Sequence, residues 1–250
     1  MLKLSPKFAR FNFFEIEMIK KQKIISIINL KGGCGRSTLA TNLAGELAKT
    51  ASTLLFDCDV PQCTSASWYA LRDRSDRSKN LTIDTASTHQ ELIEKLSNCL
   101  DAEFLIIDSP PRLAEMARAM IVVSDLVLIP IATSAAEIWA TSDMMNLVEE
   151  AKKVRPIEAR MVWARHRENT RLAKELVEEI KNVLTIPLLK TSMGLRVAYQ
   201  EALGLGLTGT ETGDRTAKKE VINLVDEIKK ILNSQSKSIN KKTLSKGKDK

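Results

Sequence analysis

Hydrophobic and polar positions fall into two recurring patterns along the chain. Short runs that are apolar on both faces and rich in β-branched residues occur at 24–29, 54–57, 104–108, 126–130, 161–164 and 186–189. They predict strands buried on both sides, as in a parallel sheet. Longer segments at 38–49, 90–99, 112–123, 139–154, 170–183 and 217–232 carry apolar residues at helical spacing. Strand and helix alternate, which predicts an α/β domain with one mostly parallel twisted sheet and helices on both faces. No internal repeat is visible, and 18–232 reads as a single domain. The longest apolar stretch, 121–136, is interrupted by Ser124, Asp125, Pro130, Thr133 and Ser134, so no stable membrane insertion is expected.

The two ends differ from this body. Residues 1–17 lack the uninterrupted apolar core and cleavage site of a secretory signal, and are set aside as an N-terminal extension. Residues 233–250 are rich in Lys, Ser and Asn, with too little apolar surface to offset ordering entropy, so a disordered tail is expected. Charge sharpens the division. The 250 residues sum to a formal +7, but 1–23 hold six Lys or Arg against two Glu and 233–250 six Lys against one Asp, leaving 24–232 at −2. A globally basic, DNA-coating domain is thereby excluded, while a local patch or a basic tail that touches phosphates is not. Hydrophobic residues make up 44% of the chain, enough for a sizeable core and too many for a wholly disordered protein. Four cysteines without a C-x-x-C pair and only two histidines point to reduced thiols in the cytoplasm and away from zinc.

Candidate chemistry gathers where strands end. The first strand runs into Leu30-Lys31-Gly32-Gly33-Cys34-Gly35-Arg36-Ser37-Thr38, followed by a helix. Three glycines within four residues let successive amides turn inward around an anion, and the helix N-terminus adds its positive dipole end. Ser37 and Thr38 place hydroxyls where a magnesium ion and a phosphate would sit. An ordinary Walker A motif does not fit, because Leu30 stands at its first glycine and Arg36 at its lysine. The deviant form K-G-G-x-G-K-[ST]-T fits at every position except Arg36, with Lys31 as its signature lysine. A ligand-free glycine turn is the bland alternative, and the strand before, the helix after and the hydroxyl offsets argue against it.

Two further strand ends carry carboxylates. Asp57 and Asp59 close the second strand two residues apart, so alternation aims both the same way. Asp108 ends a later strand before Pro110-Pro111, the Walker B arrangement. In open α/β sheets ligands bind beyond the carboxyl ends of strands, so the three segments converge on one site.

This set resembles the ParA/MinD family of deviant Walker A ATPases, and within it the ParA-type partition proteins, over roughly 23–232. Ser124-Asp125-Leu126-Val127-Leu128-Ile129-Pro130 is similar to the family's "ADLVLIP" strand, and Glu137-Ile138-Trp139-Ala140 to the helix that follows it. Residues 193–202 resemble the "LGxRVAYxEA" segment of smaller ParA proteins. The resemblance implies a single-domain P-loop NTPase that takes ATP and Mg²⁺. It implies an ATP-bound homodimer that binds non-specific DNA on the nucleoid and positions plasmid, chromosome or other cargo. A ParB-like or other adaptor protein would stimulate hydrolysis. It further implies that Lys31, Gly32, Gly33, Cys34, Gly35, Arg36, Ser37 and Thr38 hold the nucleotide, and that Ser37, Asp57 and Asp108 serve the metal. Lys31, Arg36 and Asp59 would be catalytic, with Lys31 acting on the partner's ATP and Asp59 orienting the attacking water. Arg196, Arg215, Lys218 and Lys219 would contact DNA, with Arg165, Arg167 and Arg171 as a second basic group.

Three departures qualify the match. Arg36 keeps the charge of a loop lysine on a longer planar fork, which predicts retained ATP binding with slowed hydrolysis. Val60 separates Asp59 from Pro61-Gln62, so either the switch loop is longer by one or Val60 takes the usual proline's place. The strand at 161–165 lacks the asparagine with which many relatives read adenine. A MinD-like membrane switch and a hydrolysis-impaired scaffold stand as alternatives.

Overall fold

A computed structural model describes residues 22–99, 101–132, 141–166 and 185–246. Six strands form one sheet: β1 (Lys23–Ile27), β2 (Thr53–Asp57), β3 (Leu81–Thr85), β4 (Phe104–Asp108), β5 (Leu126–Ile131) and β6 (Ala159–Trp163). Their order is β3-β2-β4-β1-β5-β6, and every pairing is parallel. Around it lie α1 (Arg36–Leu47), α2 (Thr64–Arg74), α3 (His89–Asn98), α4 (Ala114–Val123), α5 (Ser142–Lys152), α6 (Val197–Gly204) and α7 (Arg215–Lys246).

Alternation along each strand divides the core. Ile24, Leu54, Phe56, Leu105, Ile107, Val127 and Ile129 pack with α3, α4 and α5 on one face. Ile25, Ile27, Leu55, Phe104, Ile106, Leu126 and Leu128 pack with α1, α2, α6 and α7 on the other. The expected parallel sheet with helices on both faces is the structure's own.

Differences from the sequence expectation have local causes. Strand β3 pairs with β2 alone and buries only Leu81 fully, so it lacks the doubly apolar run of an inner strand. Helix α2 buries Ser65, Trp68 and Arg72, at helical spacing but mostly polar. Helix α6 is short and leaves Val197 and neighbouring Leu205 exposed. Residues 186–189 make one isolated bridge, Met161 with Leu188, because Pro187 has no amide to extend a ladder. Helix α7 continues past Leu232 to Lys246, so the expected disordered tail is helical over 233–246; no Gly or Pro interrupts it. The 1–17 extension, the 170–183 helix, Glu137 to Ala140, Arg167 and Arg171 lie outside the described residues. Among the described residues no helix is long and apolar enough to cross a membrane.

Candidate functional site

Register brings the predicted carboxylates together. Asp108 is the Cα partner of both Ile27 and Asp57, so the ends of β1, β4 and β2 stand side by side. Past Ile27, Asn29 ties the strand to the glycine loop. Its Nδ2 donates to the Pro130 carbonyl at 2.8 Å, and its Oδ1 accepts from the Lys31 amide at 3.0 Å. Pro130 thus sits beyond the β1–β5 ladder, which ends at Leu128, where a missing amide costs no pairing.

Gly33 at φ 75° and Gly35 at φ 94° turn the loop through left-handed backbone that a side chain would strain. Gly35 caps α1, which has no side-chain cap and no acidic residue in its first turn. Its first amides are therefore available to an anion. Cys34 is buried, with its thiol 3.4 Å from the Lys31 carbonyl. Gly33, Gly35, Arg36, Ser37, Thr38 and Asp59 share a cavity of about 340 Å³ with Ala164, Arg165, Arg196 and Tyr199.

Asp57 and Asp108 are wholly buried. Asp57 accepts the Asp59 amide at 3.0 Å and the Ala66 amide at 2.9 Å, which fixes the turn leading to α2. Burial raises its pKa above the usual carboxylate value, and the two amides oppose the rise. Asp108 Oδ2 accepts from the Ser65 hydroxyl at 2.7 Å, while Oδ1 has no hydrogen-bond partner among the described residues. Burial pushes the Asp108 carboxyl up to about 7; Asp57 adds to the rise, and Ser37, Ser65 and Arg36 oppose it. A buried carboxylate oxygen without a partner, close to a second carboxylate and the Ser37 hydroxyl, fits a hard divalent cation such as Mg²⁺. Both Asp57 oxygens are already taken by amides, which holds Asp59 and the start of α2 beside the Asp108 carboxylate.

Arg36 is bound into the backbone beside the cavity. Its Nε donates to the Ser109 carbonyl at 2.9 Å, and its Nη1 to the carbonyls of Asn29, at 2.8 Å, and Lys31. It is 8% exposed, and only Nη2 remains for a ligand. Val60 is absorbed in a tight turn, where the Asp59 carbonyl accepts from the amides of Gln62 and Cys63 before α2 begins.

The basic residues separate. Arg215, Lys218 and Lys219 are exposed at the start of α7. Arg196 instead pairs with Glu220 at 2.7 Å and forms a cavity wall. Glu220 also accepts from the Tyr199 hydroxyl at 2.6 Å and the Gly194 amide at 3.0 Å. Sequence reasoning missed Asn29, Ser65 and Glu220. Asn29 alone carried a signal, as a polar residue closing an apolar strand.

The family description "CobQ/CobB/MinD/ParA nucleotide binding domain" matches residues 25–208. The chain is 27% identical over 213 residues to "Maintenance of carboxysome distribution protein A" of Halothiobacillus neapolitanus, covering 84% of this chain and 94% of that protein. Among solved structures, the ATP complex of a McdA variant from Cyanothece superposes with a TM-score of 0.68 at 18% identity, over 83% of this chain and 96% of that one. The septum site-determining protein MinD of Pyrococcus horikoshii OT3, complexed with Mg-ADP, gives 0.64 at 16% identity, over 83% and 96%. With a glycine loop, paired strand-end carboxylates and a match spanning most of the sheet, the chain belongs to the CobQ/CobB/MinD/ParA family of nucleotide-binding domains.

Proposed function

We propose that the protein is a ParA-type positioning ATPase that binds ATP with Mg²⁺, dimerises in that state, and grips non-specific DNA. A partner adaptor would stimulate hydrolysis and so release it, distributing a cargo over the nucleoid. The observation that carries this reading is the buried Asp108 oxygen without a partner, set beside the uncapped N-terminus of α1 and the glycine loop. The relative named for carboxysome distribution supports cargo positioning as the class of task.

In this reading the loop amides and the α1 N-terminus bind and orient the phosphates. Ser37 and Asp108 would hold the magnesium ion, which when bound neutralises phosphate charge. Asp59, placed by the hydrogen bond its amide donates to the Asp57 carboxylate, orients water, and Lys31 reaches the partner's nucleotide. The exposed Arg215, Lys218 and Lys219 supply salt-sensitive contacts to DNA phosphates. The commitment of Arg36 to backbone carbonyls favours a slow ATPase. A membrane-switch role is less well supported, since beyond Leu232 the helix carries only Ile239 and Leu244 as large apolar residues.

The test is binding to non-specific duplex DNA at fixed moderate salt with ATP–Mg²⁺ against ADP–Mg²⁺. Binding only with ATP is expected. Binding that ignores the nucleotide, or none, overturns the reading.

A further inference from the structure

Arg165, which the sequence places only in a second basic group, holds a strained position at the glycine loop. It follows β6 at φ 58°, left-handed backbone that a bulky residue rarely adopts. Its neighbours are pinned: the Ala164 amide donates to Ile131 at 2.9 Å, and the His166 amide to Met193 at 3.0 Å. Such pinning sustains a costly conformation and turns the exposed side chain back over the glycine loop. There Nη1 donates to the Gly33 carbonyl at 2.6 Å. The same residue packs against Gly35, whose missing Cβ would lie 3.7 Å from Arg165 Cγ. Arg165 thus stands at the cavity that holds Ser37, Thr38 and Asp59.

A second, independent observation concerns Arg36. It occupies the place of the loop cation, yet Nε and Nη1 are engaged by the carbonyls of Ser109, Asn29 and Lys31. Phosphoryl transfer relies on cationic compensation at the phosphates, and a single leftover nitrogen offers little of it.

We infer that Arg165 is the same-chain cation for the phosphates of a bound nucleoside triphosphate, in the part a lysine at position 36 would otherwise take. This rests on the nucleotide-binding reading above. The planar guanidinium has five donors, so the bond to Gly33 leaves others to grip phosphate oxygens side by side. The Gly33 carbonyl holds the group ready at the loop, so little ordering is left for the moment of binding.

The full chain is titrated with the magnesium complexes of AMPPNP and ADP as wild type, Arg165→Ala, Arg165→Lys and the double variant Arg36→Lys/Arg165→Ala. Thermal melts of each chain without nucleotide accompany the titrations. Arg165→Ala is expected to weaken AMPPNP about ten- to a hundred-fold, and ADP less. Arg165→Lys retains part of the affinity. The double variant recovers part of it, because a lysine at 36 cannot bridge several carbonyls and turns to the phosphates. Unchanged AMPPNP affinity in Arg165→Ala overturns the inference, whatever the melt shows, and makes Arg165 a strap on the loop. Equal loss of both nucleotides, with a collapsed melting temperature and no recovery in Arg165→Lys, overturns it as well. A wild-type chain that binds neither nucleotide brings down the underlying reading itself, a result distinct from any loss confined to the variants.

Discussion

On the face covered by α3, α4 and α5, contact with the sheet among the described residues is mostly apolar; its polar links include Ser26 with Ser124 at 2.6 Å and Lys95 with Asp84 at 2.9 Å. The opposite face also buries a large apolar core, but polar and charged groups are threaded through it. Arg72 forks onto Glu211 at 2.8 and 3.0 Å, and the Trp68 indole donates to the Leu207 carbonyl at 2.8 Å. Asn42 accepts from the Gly209 amide at 2.6 Å, and Glu220 gathers Arg196, Tyr199 and Gly194. Apolar packing is non-directional and tolerates small shifts, whereas hydrogen-bonded ion pairs fix one geometry. The first face is a platform. The second joins the cavity, through α1 and α6, to the basic start of α7.

The sharpest way to break this contrast is Glu220→Ala. It strands Arg196 and the Tyr199 hydroxyl, and should cost about 4 kcal/mol in chemical denaturation. Nucleotide affinity should fall with it, because Arg196 and Tyr199 line the cavity. If affinity holds while stability drops, the second face is no more than scaffold. On the platform side, Met120→Ala should cost about 3 kcal/mol by leaving a cavity, with nucleotide affinity unchanged in the still-folded protein. Altered affinity there would erase the distinction. The smallest effect is electrostatic. Burial raises the Glu211 pKa, but Arg72 and the Thr208 amide outweigh it, and the net shift is downward. A lowered folded-state pKa contributes stability that is present above the unfolded value and lost as pH falls through the folded one. Glu211→Gln, which still accepts hydrogen bonds, should cost about 1 kcal/mol at neutral pH. The gap from wild type should close below about pH 4.5. A gap constant from pH 7 to 3 would show that charge plays no part.

The same contrast explains what was legible in the sequence. The strands at 54–57 and 104–108 and the helix at 112–123 announce themselves because their burial is apolar and regular. The glycine loop, Asp57 and Asp108 are legible because their chemistry depends on strand ends, which the pattern locates. Helix α2 stayed hidden because its buried face is made of Ser65, Trp68 and Arg72, two of them polar and bonded across the fold. The guanidinium of Arg36 is identical in sequence whether it meets a phosphate or three carbonyls, and only tertiary geometry decides. Arg196 and Arg165 likewise read as surface charge until Glu220 and the Gly33 carbonyl are seen beside them.

The Asn29 side chain has a consequence for the order in which the molecule is made. Its amide reaches the Pro130 carbonyl across 101 residues of sequence. The glycine loop therefore gains this anchor only after β5 has docked beside β1. Contacts of such long range form late, once loop-closure entropy has been overcome. A chain emerging from the ribosome can display Gly32 to Thr38 early, yet the Asn29 tie to Pro130 waits until residue 130 has followed. With Arg165 reaching Gly33 across 132 residues as well, the set of ties that shapes the glycine loop is completed only when most of the sheet's strands are present.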